Sequence, residues 1–359
     1  MSDKSNIEWT ATHNADGTVT KGATWNPIRG CSKVSEGCRN CYAMNVAYRF
    51  SGHGQPYEGL AHKVGGKAEW TNRVYCVDEL LDAPLRWRKP RRIFVNSMSD
   101  LFHPDVPDNF ILRVFAIMAA CPHHTFQVLT KRAHRIWSLL SSPDTPIFLE
   151  AVAEDIAGEA GWCHLGRWTV TWPWPLPDVW LGVSAEDQAT ANERIPWLLQ
   201  TPAAVRWISA EPLLGLLDLT RLSIWHSGVL NALTGIAQFD DSEPQWFPRL
   251  DWVVVGGESG HEARPMHPDW PRQIRDDCRR YNAPFFFKQW GAWQPAWGAA
   301  THLIYRDGRC VEDTHDHPDA WRHKTAQPMQ RVGKKRAGRL LDGREWNEYP
   351  SRAPEAYPR

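Results

Sequence analysis

The sequence predicts an α/β fold, a partial or full TIM-like (β/α) barrel of six to seven parallel strands with insertions. Three observations lead there. Short runs of apolar, β-branched and aromatic residues recur between residues 23 and 287, each too short for a helix and each ending abruptly in polar residues. That is the pattern of strands buried on both faces. Helix-like stretches separate the runs, so the chain reads as repeated βαβ units. Right-handed crossovers wind such units into a barrel; a doubly wound open sheet is the alternative that the same alternation permits.

The elements follow in order. Residues 1–22 are a polar lead-in, and Ala23, Thr24 and Trp25 form the first strand. A helix is expected over 42–50. The second strand covers 92–95, and Pro107 and Asp108 open a helix over 111–119. Strands follow at 125–129 and 179–183. Asp187 precedes a helix over 189–199, which Pro196 should break or bend. Strands come at 205–208, 251–255 and 284–287, with a helix over 270–280 behind Pro268 and Asp269. The barrel domain thus spans 23–290. Residues 141–177, with Trp162, Trp168, Trp172 and Trp174 among several prolines, and residues 221–249, rich in turn formers, read as inserted loops or lids. Residues 291–359 are a C-terminal extension whose basic tail holds Arg331, Lys334, Lys335, Arg336 and Arg339.

Composition narrows the function classes. The 359 residues hold 41 Lys and Arg against 41 Asp and Glu, which argues against a nucleic-acid coat protein but leaves room for a local basic patch. No run reaches the length of a membrane span. The N-terminus lacks the apolar segment of a secretory signal, so a cytoplasmic protein is expected. Tryptophan is the outlier at 21 residues, which should line a core or a cleft. Of eight cysteines, Cys31, Cys38 and Cys41 fall within eleven residues and the others are scattered. One tight cluster reads as a metal or cofactor site in a reducing compartment, and the scattered ones as small hydrophobes.

Ligands of parallel α/β folds bind at the carboxyl ends of the strands. Those ends hold Asn96, Ser97, Ser99 and Asp100; Lys131; Ser184 and Glu186; Glu211; Gly256, Gly257 and Glu258; and Lys288. Together they suggest one polar mouth, with Gly256 and Gly257 permitting close backbone approach or positive φ. The cysteines, spaced C-x6-C-x2-C, sit between the first strand and the first helix and belong to the same mouth. Thiolates bind soft or borderline metals. Zinc would need a fourth ligand, which His13, His53 or His62 could supply. A 4Fe-4S cluster on three thiolates leaves one iron open for chemistry.

The cysteine loop with Tyr42 after the last thiol resembles that of radical SAM enzymes, although the first interval is three residues longer than the common C-x3-C-x2-C. More specifically, the chain resembles a bacterial and phage family of radical-SAM-like proteins of unknown function. Members of that family are often encoded beside a three-Cys-motif partner protein. The matching stretches include Thr24-Trp25-Asn26-Pro27, Gly37-Cys38-Arg39-Asn40-Cys41-Tyr42-Ala43, Asn96-Ser97-Met98-Ser99-Asp100-Leu101-Phe102-His103 and Gly256-Gly257-Glu258-Ser259-Gly260. The resemblance implies that Cys31, Cys38 and Cys41 hold a 4Fe-4S cluster that binds S-adenosylmethionine and takes an electron from a donor. It implies that Ser184 and Glu186 hold the ribose, that Asn96, Ser97 and Ser99 stand where the methionine amino group is met, and that Glu211 lines the cofactor. Lys131, Glu258 and Lys288 are then candidates for catalysis, their alternative being an ion-pair network. The substrate suggested by the phage association and the basic tail is a nucleic acid base or nucleotide. A non-catalytic metal-stabilised protein acting with a partner is the second reading, and zinc-dependent hydrolysis the third.

Overall fold

The computed structural model describes residues 4–13, 18–159, 172–240, 242–296, 300–312 and 326–350. Seven strands form one sheet: β1 Ala23–Trp25, β2 Arg92–Val95, β3 Thr125–Thr130, β4 Val179–Ser184, β5 Val205–Ala210, β6 Trp252–Gly256 and β7 Phe285–Gln289. They lie side by side in chain order, and the registers are parallel. A doubly wound sheet reverses its strand order part-way; this one does not, so the fold is α/β with the topology of a partial TIM-like barrel. The helices are α1 Tyr42–Arg49, α2 Asp108–Ala119, α3 Ala133–Leu140, α4 Thr145–Glu159, α5 Gln188–Gln200, α6 Asp269–Arg280 and the single turn α7 Lys334–Ala337. No helix among the described residues is long and apolar enough to cross a membrane.

The chain divides into two compact units. The first comprises Met1–Val34, Ala43–Gly182 and Gln200–Arg206. Its registers pair Trp25 with Val95 and Ile93 with Phe126. Side chains alternate along a strand, so Ala23, Trp25, Ile93, Val95, Phe126 and Val128 share an apolar face. Trp25 anchors it: its ring lies 6.0 Å from Phe126 and its Nε1 donates to the Leu80 carbonyl at 2.7 Å. The opposite face carries Thr24, Asn26, Phe94 and Gln127, all buried although mostly polar. Trp9 of the lead-in packs edge-on against Phe94 at 4.6 Å. Helix α2 buries Phe110, Ile111, Val114 and Phe115 and packs against α4.

The second unit comprises Ser35–Tyr42, Val183–Leu199 and Trp207–Arg359. Trp207 of β5 faces Trp252 of β6, rings 5.4 Å apart. Helix α6 buries Trp270, Ile274 and Cys278, with Asp269 in its first turn and Arg279 and Arg280 in its last, charges that suit the helix dipole. Beyond it, residues 346–348 run antiparallel to β7. Asn347 pairs with Phe286, and the Phe287 amide donates to the Trp346 carbonyl at 3.0 Å. An edge that would otherwise template aggregation is thereby covered.

Several expectations are corrected. Residues 141–177 are not simply a loop, because α4 occupies 145–159 with Leu149 and Ala153 buried; Trp162, Trp168 and Cys163 lie outside the described residues. Residues 221–249 form a four-stranded antiparallel sheet of very short strands. The segment after 290 is a folded part of the second unit, with its own four-stranded sheet from Trp293–Pro295, His302–Tyr305, Cys310–Glu312 and Ala326–Arg331. Pro196 does not break α5, which runs through it with Ala191, Ile195, Leu198 and Leu199 buried on both sides. That burial offsets the hydrogen bond proline removes.

Candidate functional site

In the first unit the strand ends build a network around Arg132. Asp100, after β2, is buried and accepts from Thr130 Oγ1 at 2.7 Å, the Phe102 amide at 3.0 Å and Arg132 Nη1 at 2.7 Å. Arg132 Nη2 donates to Ser32 Oγ at 2.8 Å and to the Ser32 carbonyl at 3.3 Å. Burial pushes the guanidinium's pKa down, but Asp100 and the Cys31 sulfur, with which Arg132 also hydrogen-bonds, outweigh it and raise it. Arg132 is thus a fixed cation beside the first cysteine. Gly30 pairs with Ser99, so the start of the cysteine loop lies against the residues that follow β2.

Ser32 Oγ also lies 2.7 Å from His103 Nε2, which invites a nucleophile and base reading. The protons say otherwise. The Asp105 amide donates to His103 Nδ1 at 3.2 Å, so Nδ1 is the bare nitrogen and Nε2 carries the proton. His103 therefore donates to Ser32 and cannot act as its base. Burial first, and Arg132 next, lower the His103 pKa and keep the ring neutral.

Asn96 stands apart. It is 2% exposed, has φ of +59°, and neither its Nδ2 nor its Oδ1 has a hydrogen-bond partner among the described residues. Left-handed backbone in a non-glycine residue and an unpaired buried amide each cost energy. Gln127 of β3 is fully buried and also lacks partners at Nε2 and Oε1 among the described residues. Unsatisfied buried amides are poor for stability and suited to a polar ligand. The near-isosteric Gln127→Met is accordingly expected to stabilise the chain by about 1 kcal/mol, read from urea unfolding midpoints. A loss of similar size would show that the amide is satisfied in solution.

The second unit holds the carboxylates. Glu186 after β4 is 1% exposed and lies 3.0 Å from Arg194 Nη1, itself 2% exposed. It accepts from Ser35 Oγ at 3.1 Å, and a Cβ on Gly37 would collide with its carboxylate. Glu186 is therefore a buried post under the loop that carries Cys38. Glu258 accepts from the amide, Nε and Nη2 of Arg264 at 2.8, 2.9 and 2.7 Å and from Asn40 Nδ2 at 3.1 Å. Arg264 also bonds the Glu36 carbonyl at 2.9 Å, so Glu258 and Arg264 clamp the loop on either side of Cys38. Burial opposes the Arg264 charge, and its bonds to Glu258 raise the pKa nonetheless. Lys288 and Glu211 form an ion pair at 2.8 Å, and Gln289 bonds the same carboxylate at 3.1 Å. A Cβ on Gly256 would sit 3.1 Å from that carboxyl, and one on Gly257 would strike the Trp290 carbonyl. The two glycines thus serve close approach rather than positive φ.

The whole arrangement can be compared with known families. One family model, described as a protein of unknown function (DUF5131), matches residues 4–350. The chain belongs to that family. No curated protein and no solved structure matches it. The DUF5131 match spans both units, including every strand end described above.

In this DUF5131 chain the expected site residues fall into two groups. Asn96, Ser97, Ser99 and Lys131 lie with Cys31 in the first unit; Ser97 Oγ bonds Asn26 at 3.2 Å and Ser99 Oγ the Ile28 carbonyl at 2.9 Å. Ser184, Glu186, Glu211, Glu258 and Lys288 lie with Cys38 and Cys41 in the second. All three cysteines are half-buried and in no disulfide. Among the described residues no three His, Cys, Asp or Glu side chains converge on a point that one ion could occupy. Cys121 and Cys278 are buried, as small hydrophobes should be. In the basic tail, Arg331 bonds the Gly260 carbonyl at 2.8 Å and Arg339 bonds Asn347, both structural roles. Sequence reading named the Asp100 and Asn40 positions without a role and missed Arg194, Arg264 and Gln127.

Proposed function

We propose that the chain is an iron–sulfur, S-adenosylmethionine-dependent radical enzyme. One observation carries the reading: three half-buried cysteines outside any disulfide, spaced C-x6-C-x2-C, on the loop after β1 of a partial (β/α) barrel. The donor set, three thiolates within eleven residues of one loop, fits a cluster in which each thiolate binds a different iron and one iron is left open. When bound, the cluster and S-adenosylmethionine would supply one-electron cleavage of a carbon–sulfur bond and a carbon radical that takes a hydrogen atom from substrate.

The chain's own residues then have distinct tasks. Cys31, Cys38 and Cys41 hold the metals. The Arg132 charge lies beside Cys31, and local charge and hydrogen bonding at ligating sulfurs help set a cluster's potential. The unpaired amide of Asn96 is free to meet an amino or carboxylate group of a cofactor at the end of β2. Lys288, held by Glu211, and Lys131 are the cations available for proton transfer. Glu186 and Glu258 keep the loop in place.

The experiment is anaerobic purification with iron, sulfide and zinc assays, then EPR of the dithionite-reduced protein with and without S-adenosylmethionine. The expected result is about four irons per chain, a spectrum that changes on adding S-adenosylmethionine, and loss of both in Cys31→Ala, Cys38→Ala and Cys41→Ala. Stoichiometric zinc without sulfide would overturn it. A second reading, a metal-stabilised module acting with a partner protein, is favoured by the saturation of Glu186 by Arg194 and of Glu258 by Arg264. It predicts partner binding that survives without iron.

A further inference from the structure

The surface beside the cysteine loop has an unusual composition. Five of the twelve exposed large hydrophobic side chains among the described residues belong to two short stretches of the first unit, 29–34 and 43–76. They are Val34, Tyr48, Phe50, Val64 and Tyr75. The same stretches carry Arg29, Lys33, Arg49, Lys63, Lys67 and Arg73 against only Glu58 and Glu69, in a chain of zero formal charge. Both carboxylates are already engaged, Glu69 with Lys33 and Glu58 with His53 and the Gly54 amide.

One side-chain contact and several backbone contacts tie these segments together. Lys63 Nζ lies 5.2 Å from the Tyr48 ring centroid, a cation over an aromatic face. The Tyr57 amide donates to the Phe50 carbonyl at 2.9 Å, and Arg29 Nη1 donates to the Pro56 carbonyl at 3.2 Å. Arg29 faces Tyr75 across a short antiparallel ladder. Gly30 has φ of +85°, and a Cβ there would strike the Arg73 carbonyl, so the backbone of Arg73 is held against the residue preceding Cys31. The patch therefore runs up to the first thiol of the candidate metal loop.

We propose that this patch binds single-stranded nucleic acid and leads it to the cysteine loop. Unpaired bases offer flat faces that stack on exposed tyrosine and phenylalanine, and each nucleotide brings a phosphate for the interleaved Lys and Arg. Duplex bases are already stacked and cannot use the rings. A protein partner would favour an apolar centre depleted of charge, which this interleaving is not. The binding stands independently of the radical chemistry; its assignment as the substrate class rests on the function proposed above.

The test is fluorescence anisotropy of the full chain with a labelled oligothymidylate of about 20 nucleotides and with a duplex of the same length. Micromolar binding of the single strand is expected at low salt. The log–log salt slope should be about −2, as for three phosphates neutralised on a single strand. Tyr48→Ala combined with Tyr75→Ala should weaken binding about tenfold or more. Lys63→Glu with Arg73→Glu should weaken it and flatten the slope. These side chains are exposed, so unchanged melting temperatures would verify that the variants fold. Equal binding of duplex with no effect of the tyrosine variants would overturn the proposal, as would binding of phosphatidylserine vesicles but no oligonucleotide. Binding without iron or an S-adenosylmethionine-dependent spectrum would leave the surface standing and remove only its link to radical chemistry. Iron and that spectrum without binding would remove this substrate class alone.

Discussion

Arg194→Ala is expected to destabilise the protein by about 3–5 kcal/mol, because removing one member of a buried ion pair leaves the other charge buried and uncompensated. The pair is the most buried among the ion pairs of the described residues, 2% and 1% exposed, with Nη1 to Oε2 at 3.0 Å. Arg194 Nη1 also satisfies the Ser184 carbonyl at 2.9 Å, so the substitution orphans two acceptors at the end of β4. Ser35 Oγ, a neutral donor, meets the other Glu186 oxygen at 3.1 Å. Ser35→Ala should therefore cost only about 1 kcal/mol, the loss of one uncharged hydrogen bond. Adding Glu186→Gln to Arg194→Ala should recover part of the loss, since the stranded charge is gone. Urea midpoints of the parent, Arg194→Ala, Glu186→Gln and the double variant measure the coupling. If Arg194→Ala stays within 1 kcal/mol of the parent, the pair is hydrated in solution and Glu186 is free for a ligand after all.

That pair also shows what could be read beforehand. All seven strands were legible because strands buried on both faces leave continuous apolar runs, and the polar residues ending them marked the mouth. Helices α2, α5 and α6 were legible from apolar periodicity and from Asp or Pro at their starts. Helix α4 was not, because its apolar residues are spread around the helix rather than gathered on one face. The antiparallel sheet within 222–246 uses strands of two to four residues, too short for alternation to register. The pairing of Asn347 with Phe286 is long-range and has no local signal.

At the site, Glu186 looked like an exposed ligand because it ends a strand. Arg194 held the missing clue. It falls between Ala191 and Leu198, three residues after one and four before the other, on the stripe of α5 that faces the core. A charge on that stripe must have a buried partner. Similarly, Lys131 drew attention while its neighbour Arg132 turned inward to Asp100 and Cys31. Neighbouring residues diverge in direction, and only the register tells which one enters the site.

Acid should destabilise this protein progressively below about pH 6.5. His124 is fully buried, and its ring centroid lies 3.9 Å from that of His123. Its Nε2 sits 3.3 Å from the Pro84 carbonyl and so carries the proton, while Nδ1 has no partner among the described residues. Burial above all, and then His123, push its pKa from 6.5 down to about 4. The unfolded chain therefore binds more protons than the folded one between those two values. Stability is complete above about pH 6.5 and is lost as pH falls toward 4, by about 2–3 kcal/mol in total for this residue. His103, also lowered by burial, acts in the same direction. Urea midpoints at pH 7.5, 6 and 5 for the parent and for His124→Gln decide the matter. The variant cannot take up that proton, so its stability should fall less over the range even if it starts lower. Parallel curves would mean that His124 titrates normally, with water reaching Nδ1, and the acid sensitivity would then belong to other groups.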